Sequence, residues 1–214
     1  MIAGLAWAYL SGQPGPAFVE AVWFGSVAAA GLWVPGLANQ VTLARAYLAA
    51  PAFVYASHQD FAFLAIVVSL AGLTDLVDGT IARRFGHPTM LGGGLDPVAD
   101  GLFTGGLVIG LAVGGTFPAW LALVIVARYL LPAAVGGALL AAGRRPELRH
   151  TLMGQVSTAL ILVLVGGVCL FRALRQDSSA VLNAAEIVIP VATVATYVNL
   201  AMTLRRPARS PEPG

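Results

Sequence analysis

Residues 61–114 read FAFLAIVVSLAGLTDLVDGTIARRFGHPTMLGGGLDPVADGLFTGGLVIGLAVG. Two apolar runs, 61–82 and 94–114, flank a polar break from Arg83 to Gly93. Each run is close to the about 20 residues that carry a helix across a bilayer's hydrocarbon. Neither alternates with period two, as a membrane-barrel strand would. The segment therefore predicts two membrane helices forming an antiparallel hairpin around His87-Pro88. Against that apolar background stand four aspartates: Asp75, Asp78, Asp96 and Asp100.

Working outward, four further apolar stretches of similar length occupy 41–57, 118–141, 151–171 and 183–204. Turn-forming or polar residues separate them, at 57–60, 114–116, 143–150 and 172–179. The composition agrees: 58% of the 214 residues are hydrophobic and 10% are charged, against about 25% charged in a soluble domain. A soluble enzyme is excluded, because a chain of this size cannot hide that much apolar surface. Disorder is excluded for the same reason, and a disulfide framework because Cys169 is the sole cysteine. The expected fold is an all-α integral membrane protein, a bundle of six transmembrane helices.

The net charge of +2 comes from arginine, since the chain has no lysine. The arginines fall in short clusters between apolar stretches, not on one face as nucleic-acid binding needs, so no nucleic-acid partner is expected. Such clusters mark cytoplasmic loops. With Asn39 on the cytoplasmic side, that side collects Arg45, Arg83, Arg84, Arg144, Arg145, Arg149, Arg205, Arg206 and Arg209, and the opposite side only Arg172 and Arg175. Arg128 lies within a span. Residues 1–38 form a separate apolar segment, in which 17–34 reads as a helix lying in the membrane interface or as a seventh span. Met1 to Leu10 carries no basic residue, so no cleaved signal peptide is expected there. The polar, proline-rich stretch 205–214 reads as a disordered cytoplasmic tail.

Ionisable groups inside spans are costly and usually functional. Asp75 and Asp78 are three residues apart and Asp96 and Asp100 four, so each pair shares a helical face. Folding the hairpin sets Asp75 level with Asp100 and Asp78 level with Asp96. At about 1.5 Å per residue the four carboxylates then lie within one helical turn of depth. Four such charges cannot all stay ionised without cations. An all-oxygen set suits Mg²⁺ or Mn²⁺, and four carboxylates suit two ions, which clamp attacking and leaving oxygens in phosphoryl displacement. Gly79 and Ala82 leave room beside Asp78, and Arg83 supplies a cation for a phosphate oxygen. Gly92, Gly93 and Gly94 read as a sharp turn, with the third span starting at Leu95-Asp96-Pro97 and Pro97 in its first turn.

Asp75-x2-Asp78-Gly79-x2-Ala82-Arg83-x8-Gly92-x3-Asp96-x3-Asp100 resembles, position for position, the signature of the CDP-alcohol phosphotransferase family. The resemblance covers about residues 39–204, and upstream Asn39-x2-Thr42-x2-Arg45 resembles the start of that family's first span. It implies transfer of a phosphatidyl or similar group from a CDP-linked donor such as CDP-diacylglycerol to an alcohol, with release of CMP. Asp75, Asp78, Asp96 and Asp100 would be metal ligands, and Asp100 also the base for the acceptor hydroxyl. Gly79, Ala82, Arg83, Gly92, Asn39 and Thr42 would contact the donor. The implied partners are membrane lipids and a second copy of the chain as a homodimer; the implied place is the cytoplasmic face of the cell membrane.

The acceptor is a small alcohol or phospho-alcohol. Arg128 resembles the arginine at this place in phosphatidylglycerophosphate synthases, and Gly154-Gln155-Val156-Ser157-Thr158 resembles their Gly-Lys-x-Lys-Thr stretch without either lysine. Glycerol 3-phosphate is the favoured acceptor, with Arg128, Arg144, Arg145 and Arg149 as candidate contacts; an inositol phosphate and phosphatidylglycerol are the alternatives. A cation transporter with a carboxylate site is the remote one. His58, His87 and His150 read as solvated loop residues, and Cys169 as a small apolar filler.

Overall fold

A computed structural model describes residues 17–33, 37–85, 90–141 and 152–205; at some of these, 75–85 and 90–97 among them, only the backbone is described. Seven helices account for nearly all of it: α1 (Ala17–Trp33), α2 (Leu37–Ser57), α3 (Phe61–Phe85), α4 (Met90–Val113), α5 (Ala119–Ala141), α6 (Leu152–Ala173) and α7 (Ser179–Arg205). No strand occurs among the described residues. Helices α2 to α7 coincide with the six apolar stretches of the sequence. Val156–Ala173 and Ser179–Asn199 are by themselves long and apolar enough to cross a membrane; the other described apolar segments are shorter.

One boundary differs from the sequence reading. Helix α4 begins at Met90, so Gly92, Gly93 and Gly94 lie inside it and Pro97 is past its first turn. Glycine costs a helix only about 1 kcal/mol per residue relative to alanine. Extending the helix back through the three glycines adds one backbone hydrogen bond per residue, and that gain outweighs the local preference for a turn.

Three tight turns close the described connections, each with a residue in the left-handed region: Gln59 (φ 60°), Gly115 (φ 73°) and Arg175 (φ 56°). All three are Schellman caps. At the first, the Gln59 amide donates to Ala56 O and the Asp60 amide to Tyr55 O; Gly115–Thr116 and Arg175–Gln176 repeat the pattern. The Gln59 side chain also donates to Gly114 O, tying the first turn to the second. At the start of α7 the Ser179 hydroxyl and then the Ser179 amide, at 2.6 and 2.9 Å, hold the exposed Asp177 carboxyl below its ordinary range.

The core lies where α2, α3, α4, α5, α6 and α7 meet, around Tyr55, Leu64, Val67, Leu107, Leu111, Leu121, Ile125, Ile161, Val165 and Ile189. Cys169 is buried there, as an apolar filler should be. The outward faces are also apolar: Leu123, Val163, Ile187 and Val191 are each more than 60% exposed. Aliphatic side chains on both sides of a helix are what a lipid solvent asks for and water penalises.

Helix α1 lies alongside α2, running the opposite way. Trp23 Nε1 donates to Ala46 O at 2.9 Å, the rings of Phe24 and Tyr47 are 6.0 Å apart, and farther along Gln40 Nε2 donates to Gly31 O at 2.9 Å. Phe24 and Val27 are buried in this contact.

Candidate functional site

Helix α2 is the element that organises the site, because it packs against both acidic helices, α3 and α4. Its contact with α4 is backbone to backbone. A Cβ built on Gly106 would lie 2.7 Å from Ala49 O, and one on Gly110 2.5 Å from Phe53 O; Gly114 meets Ala56 O in the same way. Residue numbers rise together along the two helices, so α2 and α4 run parallel. Small residues at this spacing let helices approach without side chains between them.

Following that contact toward the start of both helices leads to Asp100. Arg45 of α2, 4% exposed, donates from its guanidinium to Asp100 Oδ1. The pair is lopsided: the side chain of Arg45 is 5% exposed and that of Asp100 36%. The guanidinium thus holds one carboxylate oxygen while the Asp100 side chain as a whole stays partly exposed. On its other flank, Gly101 leaves space that α5 uses; a Cβ there would lie 3.4 Å from Tyr129 Cβ. Thr42, one turn before Arg45 on the same face of α2, is buried as well.

Asp75, Asp78, Gly79, Ala82 and Arg83 lie on α3, and Gly92 and Asp96 on α4, each as helical residues. Their side chains, and that of Asn39 on α2, fall outside the described residues, as do Arg144, Arg145, Arg149, His87 and His150. The level pairing of the four aspartates across the hairpin thus lies outside what is described. His58 is exposed in the first turn, as expected, with Nδ1 2.9 Å from Val54 O.

A second polar centre joins α5, α6 and α7. Arg128, 7% exposed, donates from NH2 to Gly154 O and Thr158 Oγ1, both at 3.1 Å, and from NH1 to Thr196 Oγ1 at 3.2 Å. Tyr197 reinforces it, its hydroxyl donating to Ala127 O at 3.0 Å. The structure thus unites two features that the sequence offered separately, Arg128 and the 154–158 stretch. All these partners are neutral, so the arginine's charge is met by dipoles. Between them, Ser157 is buried with no hydrogen-bond partner for its Oγ among the described residues.

Sequence reasoning missed the Arg45–Asp100 pair. The signal was available: Asn39, Thr42 and Arg45 recur every three residues, which places them on one face, and a buried arginine requires a partner.

Comparison with known proteins bears on what this arrangement serves. The family model for CDP-alcohol phosphatidyltransferase matches residues 36–204. A probable phosphatidylglycerophosphate synthase of Mycobacterium tuberculosis is 30% identical over 177 residues, which is 79% of this chain and 83% of that protein. A Bacillus subtilis CDP-diacylglycerol–glycerol-3-phosphate 3-phosphatidyltransferase is 33% identical over 106 residues, 50% of this chain and 54% of the relative. A probable cardiolipin synthase (CMP-forming) of Drosophila melanogaster is 41% identical over 92 residues, 42% of this chain but only 28% of that longer protein. With the match running from just before α2 to the end of α7, over most of the chain, this protein belongs to the CDP-alcohol phosphatidyltransferase family.

Proposed function

We propose that this protein is an integral membrane enzyme that moves a phosphatidyl group from CDP-diacylglycerol to the hydroxyl of a glycerol-based acceptor. The acceptor oxygen forms a bond to the phosphorus that carries diacylglycerol. The anhydride P–O bond to CMP breaks, and CMP leaves with that electron pair. The hydroxyl proton passes to the carboxylate of Asp100. The observation that carries this reading is the placement of Asp100: one oxygen engaged by a buried arginine, the side chain partly open, within an intact eight-residue signature.

The donor set fits a hard divalent ion, being all oxygen, with Oδ2 of Asp100 not the atom engaged by Arg45. Asp75, Asp78, Asp96 and Asp100 would hold Mg²⁺ or Mn²⁺, two ions in all, supplying when bound the positive charge that eases departure of CMP. Gly79, Ala82, Arg83, Gly92, Asn39 and Thr42 bind the donor. Helices α2 to α7 are the six spans, the site opens at the cytoplasmic face of the cell membrane, and 205–214 is the cytoplasmic tail.

Glycerol 3-phosphate is the first acceptor, supported by the name of a relative aligned over 79% of the chain. Phosphatidylglycerol is a second reading. It is favoured by the absence of lysine at 155 and 157, by the internal bonds that already occupy Arg128, and by cardiolipin synthases among the relatives. The test is CMP release by purified protein in lipid with CDP-diacylglycerol and Mg²⁺ or Mn²⁺, with glycerol 3-phosphate, phosphatidylglycerol and inositol 1-phosphate added singly. We expect release with one glycerol-based acceptor, lowered by at least about 100-fold in Asp100→Asn. Absence of both CMP release and donor binding overturns the proposal.

A further inference from the structure

We propose that Arg45 is the positioning residue for Asp100, an inference that rests on the phosphatidyl-transfer reading above. A buried guanidinium is expensive unless it is paired, so its presence on α2 needs a reason. Docking α2 onto α4 is not that reason, because Gly106, Gly110 and Gly114 already bring the two backbones together without charge. Arg45 engages Asp100 Oδ1, toward the start of that contact.

An aspartate on a half-open helix face has several staggered rotamers to choose from. A buried guanidinium donating to Oδ1 selects the rotamers that keep that oxygen within its reach. Tyr129, packed at Gly101, closes the other flank. Oδ2 is the oxygen outside that bond, and the side chain that carries it is 36% exposed. Thr42, one turn earlier on α2 than Arg45, is buried beside it. Arg45 does not touch the reacting atoms; it sets the attack geometry through Asp100.

The experiment compares wild type, Arg45→Gln and Arg45→Lys in the CMP-release assay, per folded protein. Misplacing the base by an ångström costs about 100-fold, so Arg45→Gln is expected to lower kcat by that factor and leave the donor KM within threefold. Arg45→Lys keeps the charge but not the fork and is expected to fall about three- to tenfold in kcat, a partial rescue that a space-filling role would not give. A second readout needs no turnover. In metal-free protein the melting temperatures of Arg45→Gln, Asp100→Asn and the double variant are expected to be non-additive, the double melting no lower than the worse single. Should Arg45→Gln fail to fold, Arg45→Lys is read alone, and an unchanged kcat overturns the proposal. Equal kcat losses in Gln and Lys, a loss carried by donor KM, or additive melting shifts overturn it too. Wild-type protein that releases no CMP overturns the functional reading and this inference with it. An active wild type with unchanged Arg45→Gln kcat overturns this inference alone.

Discussion

The two arginines inside the bundle, Arg45 and Arg128, solve the problem of a buried charge in opposite ways. Arg45 meets a carboxylate, whereas Arg128 is held by a carbonyl and two hydroxyls. Those hydroxyls do not depend on it. Thr158 keeps a bond to Gly154 O at 3.0 Å and Thr196 one to Ala192 O at 2.8 Å. Removing Arg128 therefore strands no partner, and replacing a buried ion with an apolar side chain is often neutral. We expect Arg128→Leu to change unfolding free energy by no more than about 1 kcal/mol, checked by denaturant titration in mixed micelles. Under the glycerol 3-phosphate reading the same variant raises the acceptor KM about tenfold, the loss of about one charge-assisted hydrogen bond, with donor KM unchanged. The sequence displayed Arg128 as an anomaly within a span; that its partners are neutral and replaceable was visible only once α6 and α7 were in place.

At the scale of elements, the contact between α2 and α4 sets the tolerance of the site. Gly110 faces Phe53 O and Ala56 Cβ, at 2.5 and 2.9 Å from a built Cβ, so an added methyl must push one backbone from the other. Gly105, on the same helix, has nothing within 4 Å of a built Cβ. Gly110→Ala is expected to cost about 1–3 kcal/mol and to lower CMP release as Asp100 shifts from Arg45. Gly105→Ala is expected to be neutral or stabilising by up to about 1 kcal/mol. Thermal melting and activity of the pair check both statements. Helix existence was legible from apolar run length, and all six stretches from 41 to 204 correspond to helices. The start of α4 was not, because three consecutive glycines look like a turn when only local preference is weighed. Which glycines are compulsory was equally hidden, since Gly105 and Gly106 are adjacent in sequence and only the second meets a backbone.

At the scale of the whole molecule, α1 reports on topology. Its contacts pass down α2 from Ala46–Tyr47 to Gln40 while its own numbers run from Trp23 to Gly31. An antiparallel course is what a seventh span would give, while the 17 residues of α1 fall short of the about 20 that a span needs. An interfacial α1 would leave Ala17 and Arg205 on one side of the membrane, and a seventh span would put them on opposite sides. A cysteine at Gly12→Cys is then expected to react with an impermeant maleimide on intact cells, and one at Ser210→Cys only after lysis; labelling of both from the same side overturns the seven-span reading. Cys169, buried in the core, leaves the background low. By itself the sequence pointed to an all-helical chain and, through its eight-residue signature, to the CDP-alcohol phosphatidyltransferase family. Apolar run length is set by bilayer thickness, and the spacing of four carboxylates is set by the helical repeat, both local and periodic quantities. The tertiary structure alone decided that Arg45 meets Asp100, that α2 rests on both acidic helices, and that Arg128 ties α5 to α6 and α7. Each is a meeting of residues far apart in the chain, and which residues meet depends on how helix faces rotate and pack against one another, which no run length or periodicity encodes.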